Sequence, residues 1–183
     1  MSEPVPSSWC EIHLGRISDN LDLALGLLPE GTTFCAVMKA DAYGHGIARV
    51  VPVLLDRGVT RIGITSNAEA RAVRDAGFTG RLFRLRAATP EETEAALADR
   101  VEEQVGSILA ARQMRALIEA GRAQVGVHLA LNAGSMSRDG LDLATDEGRR
   151  ECRAILAELG AHIIGICTHF SSNDPPPLRH SAD

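Results

Sequence analysis

With 183 residues the chain is long enough to bury one sizeable core and short for two domains of ~100–200 residues each. Its 45% hydrophobic and 23% charged residues argue against disorder, and the 3% aromatic share predicts a core of Leu, Ile, Val and Ala. A net charge of -5, with Lys and Arg dispersed along the chain, excludes a nucleic-acid footprint; no apolar run approaches the ~20 residues of a bilayer span. The start, Met1 to Ser8, is polar and holds no signal-peptide core, so a cytoplasmic location is expected. The four cysteines (Cys10, Cys35, Cys152, Cys167) have neither CxxC nor zinc-type spacing, and no metal is expected.

A first amphipathic helix is predicted over Arg16–Leu28, with Ile17, Leu21, Ala24, Leu25 and Leu28 on one face and Pro29 as its stop. From there short apolar runs alternate with helical stretches, the signature of βα units and a parallel sheet. Strands are predicted at Phe34–Met38, Arg61–Thr65, Gly80–Leu85, Gln104–Ile108, Val127–Leu131 and Ile163–Cys167. The helix Ile47–Arg57 ends at Gly58 and requires Pro52 in or near its first turns. Ser66-Asn67-Ala68-Glu69 and Thr89-Pro90-Glu91-Glu92 read as capping boxes that open the next two helices. Two more are expected at Leu109–Ala120, before Gly121, and at Thr145–Leu159, before Gly160. Six βα units fit either a (β/α)8 barrel or a doubly wound sheet. In a barrel the functional side chains stand just past the C-terminal ends of the strands.

The first strand runs into Lys39-Ala40-Asp41-Ala42-Tyr43-Gly44-His45-Gly46. On position alone, a strand-end charge reaching solvent is the commoner arrangement. A lysine at the mouth of an apolar barrel, however, loses solvation, and its neutral amine is a nucleophile for an aldehyde. Gly44 and Gly46 let backbone approach a ligand, and Tyr43 offers a hydroxyl to a phosphate or carboxylate. The whole octapeptide, preceded by Cys35-Ala36-Val37-Met38, resembles the lysine motif of the alanine racemase family of fold-type III pyridoxal-phosphate enzymes. That resemblance implies a (β/α)8 TIM-type barrel in which Lys39 forms the internal aldimine with pyridoxal 5'-phosphate and acts as one of two racemising bases. It implies that Tyr43 binds the cofactor phosphate. His45 is expected to shape the loop through an ordinary hydrogen bond.

The fifth strand is followed by Asn132-Ala133-Gly134-Ser135-Met136-Ser137-Arg138-Asp139-Gly140. The segment resembles the family's arginine motif, which assigns Arg138 to the phenolic oxygen of the cofactor and to the substrate side of the site; a fixed planar cation favours the deprotonated oxygen. Alanine racemases usually carry a lysine in this segment, where Ala130 and Asn132 stand here. The wording from His128 to Arg138 is instead similar to broad-specificity racemases that accept lysine, arginine and other amino acids. Gly63–Arg71 and Gly77–Gly80, running on to Arg86–Pro90, share that likeness. The sixth strand ends in Thr168-His169-Phe170, and the resemblance places His169 against the cofactor ring.

The resemblance covers about Trp9 to Asp174 and implies residues 1–174 as some six of eight βα units, an incomplete barrel, with an irregular Pro-rich tail at 175–183. The family's second base is a tyrosine of a C-terminal β domain reached across a homodimer, and that domain is absent from these residues. Tyr43 is the sole tyrosine. The Pro175-Pro176-Pro177 run is a poor finish for a βα unit and favours an interrupted reading frame over a natural half-barrel. The expectation is an amino-acid racemase portion, inactive by itself, that takes a small amino-acid substrate and has no membrane partner. A lost export signal would make the location periplasmic. The rival is a non-catalytic pyridoxal-phosphate carrier barrel.

Overall fold

A computed structural model describes residues 8–122, 126–132 and 140–170. Helix α1 (Leu14–Gly26) leads to strand β1 (Cys35–Val37); a helical turn, α2 (Lys39–Tyr43), precedes α3 (Ile47–Asp56). The chain then alternates through β2 (Arg61–Ile64), α4 (Asn67–Asp75), β3 (Arg81–Ala87), α5 (Pro90–Ala95) and β4 (Val101–Val105). It continues through α6 (Ile108–Glu119), β5 (Val127–Leu131), α7 (Asp146–Leu159) and β6 (Ile163–Thr168). All pairings are parallel and each strand lies beside the next in sequence, in the order β1-β2-β3-β4-β5-β6. The curled sheet with helices on its convex face is an incomplete (β/α)8 barrel, and this order separates it from a doubly wound sheet, whose order reverses.

The helix starts follow from local chemistry. Both predicted capping boxes form: Ser66 Oγ accepts from Glu69 N, Thr89 Oγ1 accepts from Glu92 N, and each glutamate returns a bond to its cap residue's N–H. Ser107 and Thr145 cap α6 and α7. Pro52 lies within the first two turns of its helix. It stands sixth in α3, past the first turn, and is exposed, so the carbonyl it leaves without an N–H partner can turn to water.

The fourth strand needs correcting: it spans Val101–Val105, not Gln104–Ile108, and Ile108 opens α6. Its acidic pair, Glu102-Glu103, hid it, because strand propensity disfavours carboxylates. The fold supplies each with cationic or imidazole partners. Glu103 points toward the helices, where Arg84 of β3 meets it through Nε–Oε2 at 2.8 Å and Nη2–Oε1 at 3.1 Å. Their side chains are 0% and 2% exposed, and Asn67 Oδ1 accepts a further bond from Arg84 Nη2 at 2.7 Å.

Around this pair the covered face of the sheet is apolar. Ile62, Ile64, Leu82 and Val101 join Val51, Leu54 and Val73 in one cluster, and Val105, Val127 and Leu129 join Met114, Leu117, Ile155 and Leu159 in a second. Burying such side chains contributes roughly 1.5–3 kcal/mol each. The Arg84–Glu103 pair sits among them as a desolvated ion pair whose separate halves are costly. We expect Glu103→Ala to lose about 3–5 kcal/mol of unfolding free energy in urea titrations, whereas the double replacement Arg84→Met/Glu103→Leu recovers most of it.

Candidate active site

The concave face of the sheet holds a cavity of about 530 Å³ at the C-terminal ends of the strands. Every strand or the residues just after it contributes: Val37 and Lys39, then Thr65, then Phe83, Leu85 and Arg86, then Gln104, then Leu131, and finally Cys167, Thr168 and His169. The volume lies in the range of small-molecule sites, and the mixture of apolar walls with a few polar groups is the usual composition of one. Gly63 leaves room for this lining, since a Cβ there would come within 2.9 Å of Leu85 Cδ1.

Lys39 reaches the cavity because β1 stops abruptly. After Met38, whose N–H bonds to Gly63 O at 2.8 Å, the chain enters a left-handed turn. Ala40, Asp41, Ala42 and Tyr43 all have φ of 52–55°, followed by Gly44 at 82°. Left-handed α conformation costs a non-glycine L-residue roughly 1–2 kcal/mol, so four in succession store several. Bonds within the turn offset part of this: Ala42 N to Met38 O at 3.0 Å and Gly44 N to Ala40 O at 3.1 Å. The His45 ring donates through Nδ1 to Ala42 O at 2.6 Å, and Asp41 Oδ1 accepts from Ile47 N at 2.7 Å, which joins the turn to the start of α3. His45 is thus a loop-shaping residue.

Lys39 is half-buried and its Nζ lies 5.4 Å from the centre of the Tyr43 ring, a cation–π distance. Tyr43 itself is 67% exposed and stands beside the cavity, not among its lining residues. His169 lines the far side. Its Nδ1 donates to Phe170 O at 2.7 Å, which in the neutral ring leaves Nε2 as the acceptor. Lys39 and His169, far apart in sequence, therefore meet one cavity. Arg138 lies outside the described residues, as does the tail 175–183.

Two residues, Arg86 in the cavity wall and Glu69 behind it, have roles that their motifs did not reveal. Arg86 is a second cation of the wall, beside Lys39: its Nε donates to Thr65 O at 2.7 Å, and its Nη groups grip Glu92 at 2.5 and 2.9 Å. The Glu92 carboxyl is held at about 2, chiefly by the Arg86 hydrogen bond. Glu69, legible in sequence only as the acid of a capping box, reaches back to the lysine turn and accepts from Ala40 N at 2.8 Å.

Nearer the N-terminal ends of the strands, the same face carries a polar cluster. Glu102 receives Arg81 through Nε at 2.5 Å and Nη2 at 2.9 Å, and His128 Nε2 lies 2.7 Å from its Oε2. The His128 ring packs edge-on against Phe83 at 4.5 Å, so the cluster braces a cavity wall. Burial alone would raise the Glu102 carboxyl, but the hydrogen bonds and charges of His128 and Arg81 outweigh it and hold the group at about 2.

The N-terminal domain model of the alanine racemase family, described as "Alanine racemase, N-terminal domain", matches residues 12–183, and the chain belongs to this family. It is 42% identical to a broad specificity amino-acid racemase of Vibrio parahaemolyticus over 173 residues, which cover 94% of this chain and 42% of that protein. A lysine racemase of Proteus mirabilis is 36% identical over 175 residues, covering 96% of this chain and 43% of the relative. Among solved structures, an alanine racemase of Clostridium difficile 630 superposes with a TM-score of 0.79 at 25% identity, across 99% of this chain and 47% of the other. The chain thus spans less than half the length of these relatives.

The depressed Glu102 sets a pH dependence of folding. A carboxyl lowered on folding adds stability that is present above its unfolded value of 4.5 and is lost as pH falls toward 2. We expect acid titration of the wild-type chain to show this loss, on the order of 2 kcal/mol. Glu102→Gln should be less stable at neutral pH and flatter between those values.

Proposed function

We propose that the cavity is the lysine-bearing side of an amino-acid racemase site, with pyridoxal 5'-phosphate held on Lys39. The carrying observation is the convergence of Lys39 and His169, from opposite edges of the sheet, on one cavity walled by Val37, Phe83, Leu85 and Leu131. The residues fit the group: apolar walls accept an aromatic ring, and the lysine supplies an amine at their rim. When bound, the cofactor would supply an electron sink for a carbanion at the α-carbon of the amino acid. His169 would orient the ring by packing. Tyr43, beside the lysine, is assigned to the phosphate, and Arg138 to the phenolic oxygen and the substrate.

Racemisation needs a base on each face of the α-carbon, one to remove the proton and one to return it. Lys39 serves one face. Tyr43, the one tyrosine in the sequence, is assigned to the phosphate and leaves no tyrosine for the other. The names of the similar proteins favour broad-specificity substrates, lysine and alanine among them. Ala130, Asn132 and the wording around them favour the same subgroup.

Two measurements test the reading. Incubation with pyridoxal phosphate, trapping with borohydride and peptide mass analysis should locate the cofactor on Lys39, and Lys39→Ala should abolish the label. A label elsewhere, or none, overturns the cofactor assignment. Racemisation of lysine or alanine by these 183 residues alone should be undetectable. Turnover would overturn the two-base assignment.

A further inference from the structure

The backbone on both sides of Lys39 is tied to the same neighbouring segment. Before it, Met38 N donates to Gly63 O in β2 at 2.8 Å; after it, Ala40 N donates to Glu69 Oε1 at 2.8 Å. Ala40 is also the first residue of the left-handed turn, where the chain departs from the conformation an L-residue prefers. Something outside the turn must hold that departure, and Glu69 bonds the N–H at which it begins.

The glutamate carries more than a helix cap requires. Its Oε2 accepts from Thr65 N at 2.7 Å and Ser66 N at 3.1 Å, and the Thr65 hydroxyl adds bonds at 3.0 and 3.3 Å. A capping box uses only the bond to the cap residue's own N–H, here Ser66. The remaining oxygen, Oε1, is the one that faces Ala40. Burial pushes this carboxyl up, but the surrounding N–H and O–H donors outweigh it and keep it below the ordinary glutamate range, hence ionised and accepting at neutral pH. One side chain therefore joins the β2–α4 turn, which supplies Thr65 to the cavity, to the turn that supplies Lys39.

We propose that Glu69 is a positioning residue: its Oε1 clamps the Ala40 amide and thereby fixes the direction in which Lys39 enters the cavity. It acts through the backbone of Lys39 and has no contact with a reacting atom. The consequence for cofactor capture rests on the racemase reading above, while the clamp itself does not.

The two halves of the capping box allow a crossed test. Glutamine serves in capping boxes as well as glutamate, so Glu69→Gln can keep its carbonyl oxygen on Thr65 and Ser66 while turning an NH₂ group toward the Ala40 N–H. Ser66→Ala does the reverse, removing the hydroxyl cap and leaving Glu69 in place. Both variants are compared with the wild-type chain for hydrogen exchange of the Ala40 amide by NMR, thermal midpoint, and rate of borohydride-trapped pyridoxal phosphate labelling at Lys39. We expect Glu69→Gln to accelerate Ala40 exchange by about tenfold and to slow labelling to a similar degree. Ser66→Ala should leave both at wild-type values even where its thermal midpoint falls further. Ala40 exchange unchanged in Glu69→Gln, or raised equally in Ser66→Ala, would overturn the clamp. Absence of label on wild-type Lys39 refutes the cofactor reading alone, and the exchange comparison still decides the role of Glu69.

Discussion

A strand covered by helices on one face must divide its residues by parity, and this constraint organises the whole molecule. Ile62 and Ile64, Leu82 and Arg84, and Val101, Glu103 and Val105 alternate toward the helices. Their neighbours Phe83, Leu85 and Gln104 are thereby released to the concave face, where they line the cavity. The side chains that pack against the helices and those that line the cavity are consecutive residues of the same strands. The covered face holds the apolar core, while the concave face carries both the cavity and the Arg81–Glu102–His128 cluster that stabilises it.

The ends of the strands are where this order is broken deliberately. A strand continued through Lys39 would keep alternating and carry the following residues along the sheet. The left-handed turn stops it within one residue, at a cost that bonds from Asp41, His45 and Glu69 help to offset. Strain held by several independent partners is well suited to an amine whose direction matters, because no single thermal fluctuation releases it.

Ionic groups within the layers follow a related logic. Arg84–Glu103 on the covered face and Arg81–Glu102–His128 on the concave face both bridge strands, and each places a charge where the other strand can answer it. Their carboxylates in β4 mask the strand's pattern in the sequence. Val-Glu-Glu-Gln-Val alternates in burial, yet the acidic pair in its middle mimics a solvated loop. Only the neighbouring strands reveal that each carboxylate is matched.

The sequence by itself determined the order of the six strands and of the helices around them apart from the α2 turn, both capping boxes, the amphipathic face of α1 and the motif that names the family, because these depend on residues close together along the chain. It also singled out Lys39 and His169 as strand-end residues, since period and punctuation mark where strands finish. Tertiary structure decided that those two reach one cavity from opposite edges of the sheet, that Tyr43 stands beside the cavity, and that Glu69 reaches the amide of Ala40. Those facts depend on the curl and register of the sheet, which bring segments many residues apart within bonding distance, and no local pattern encodes the distance between two loops.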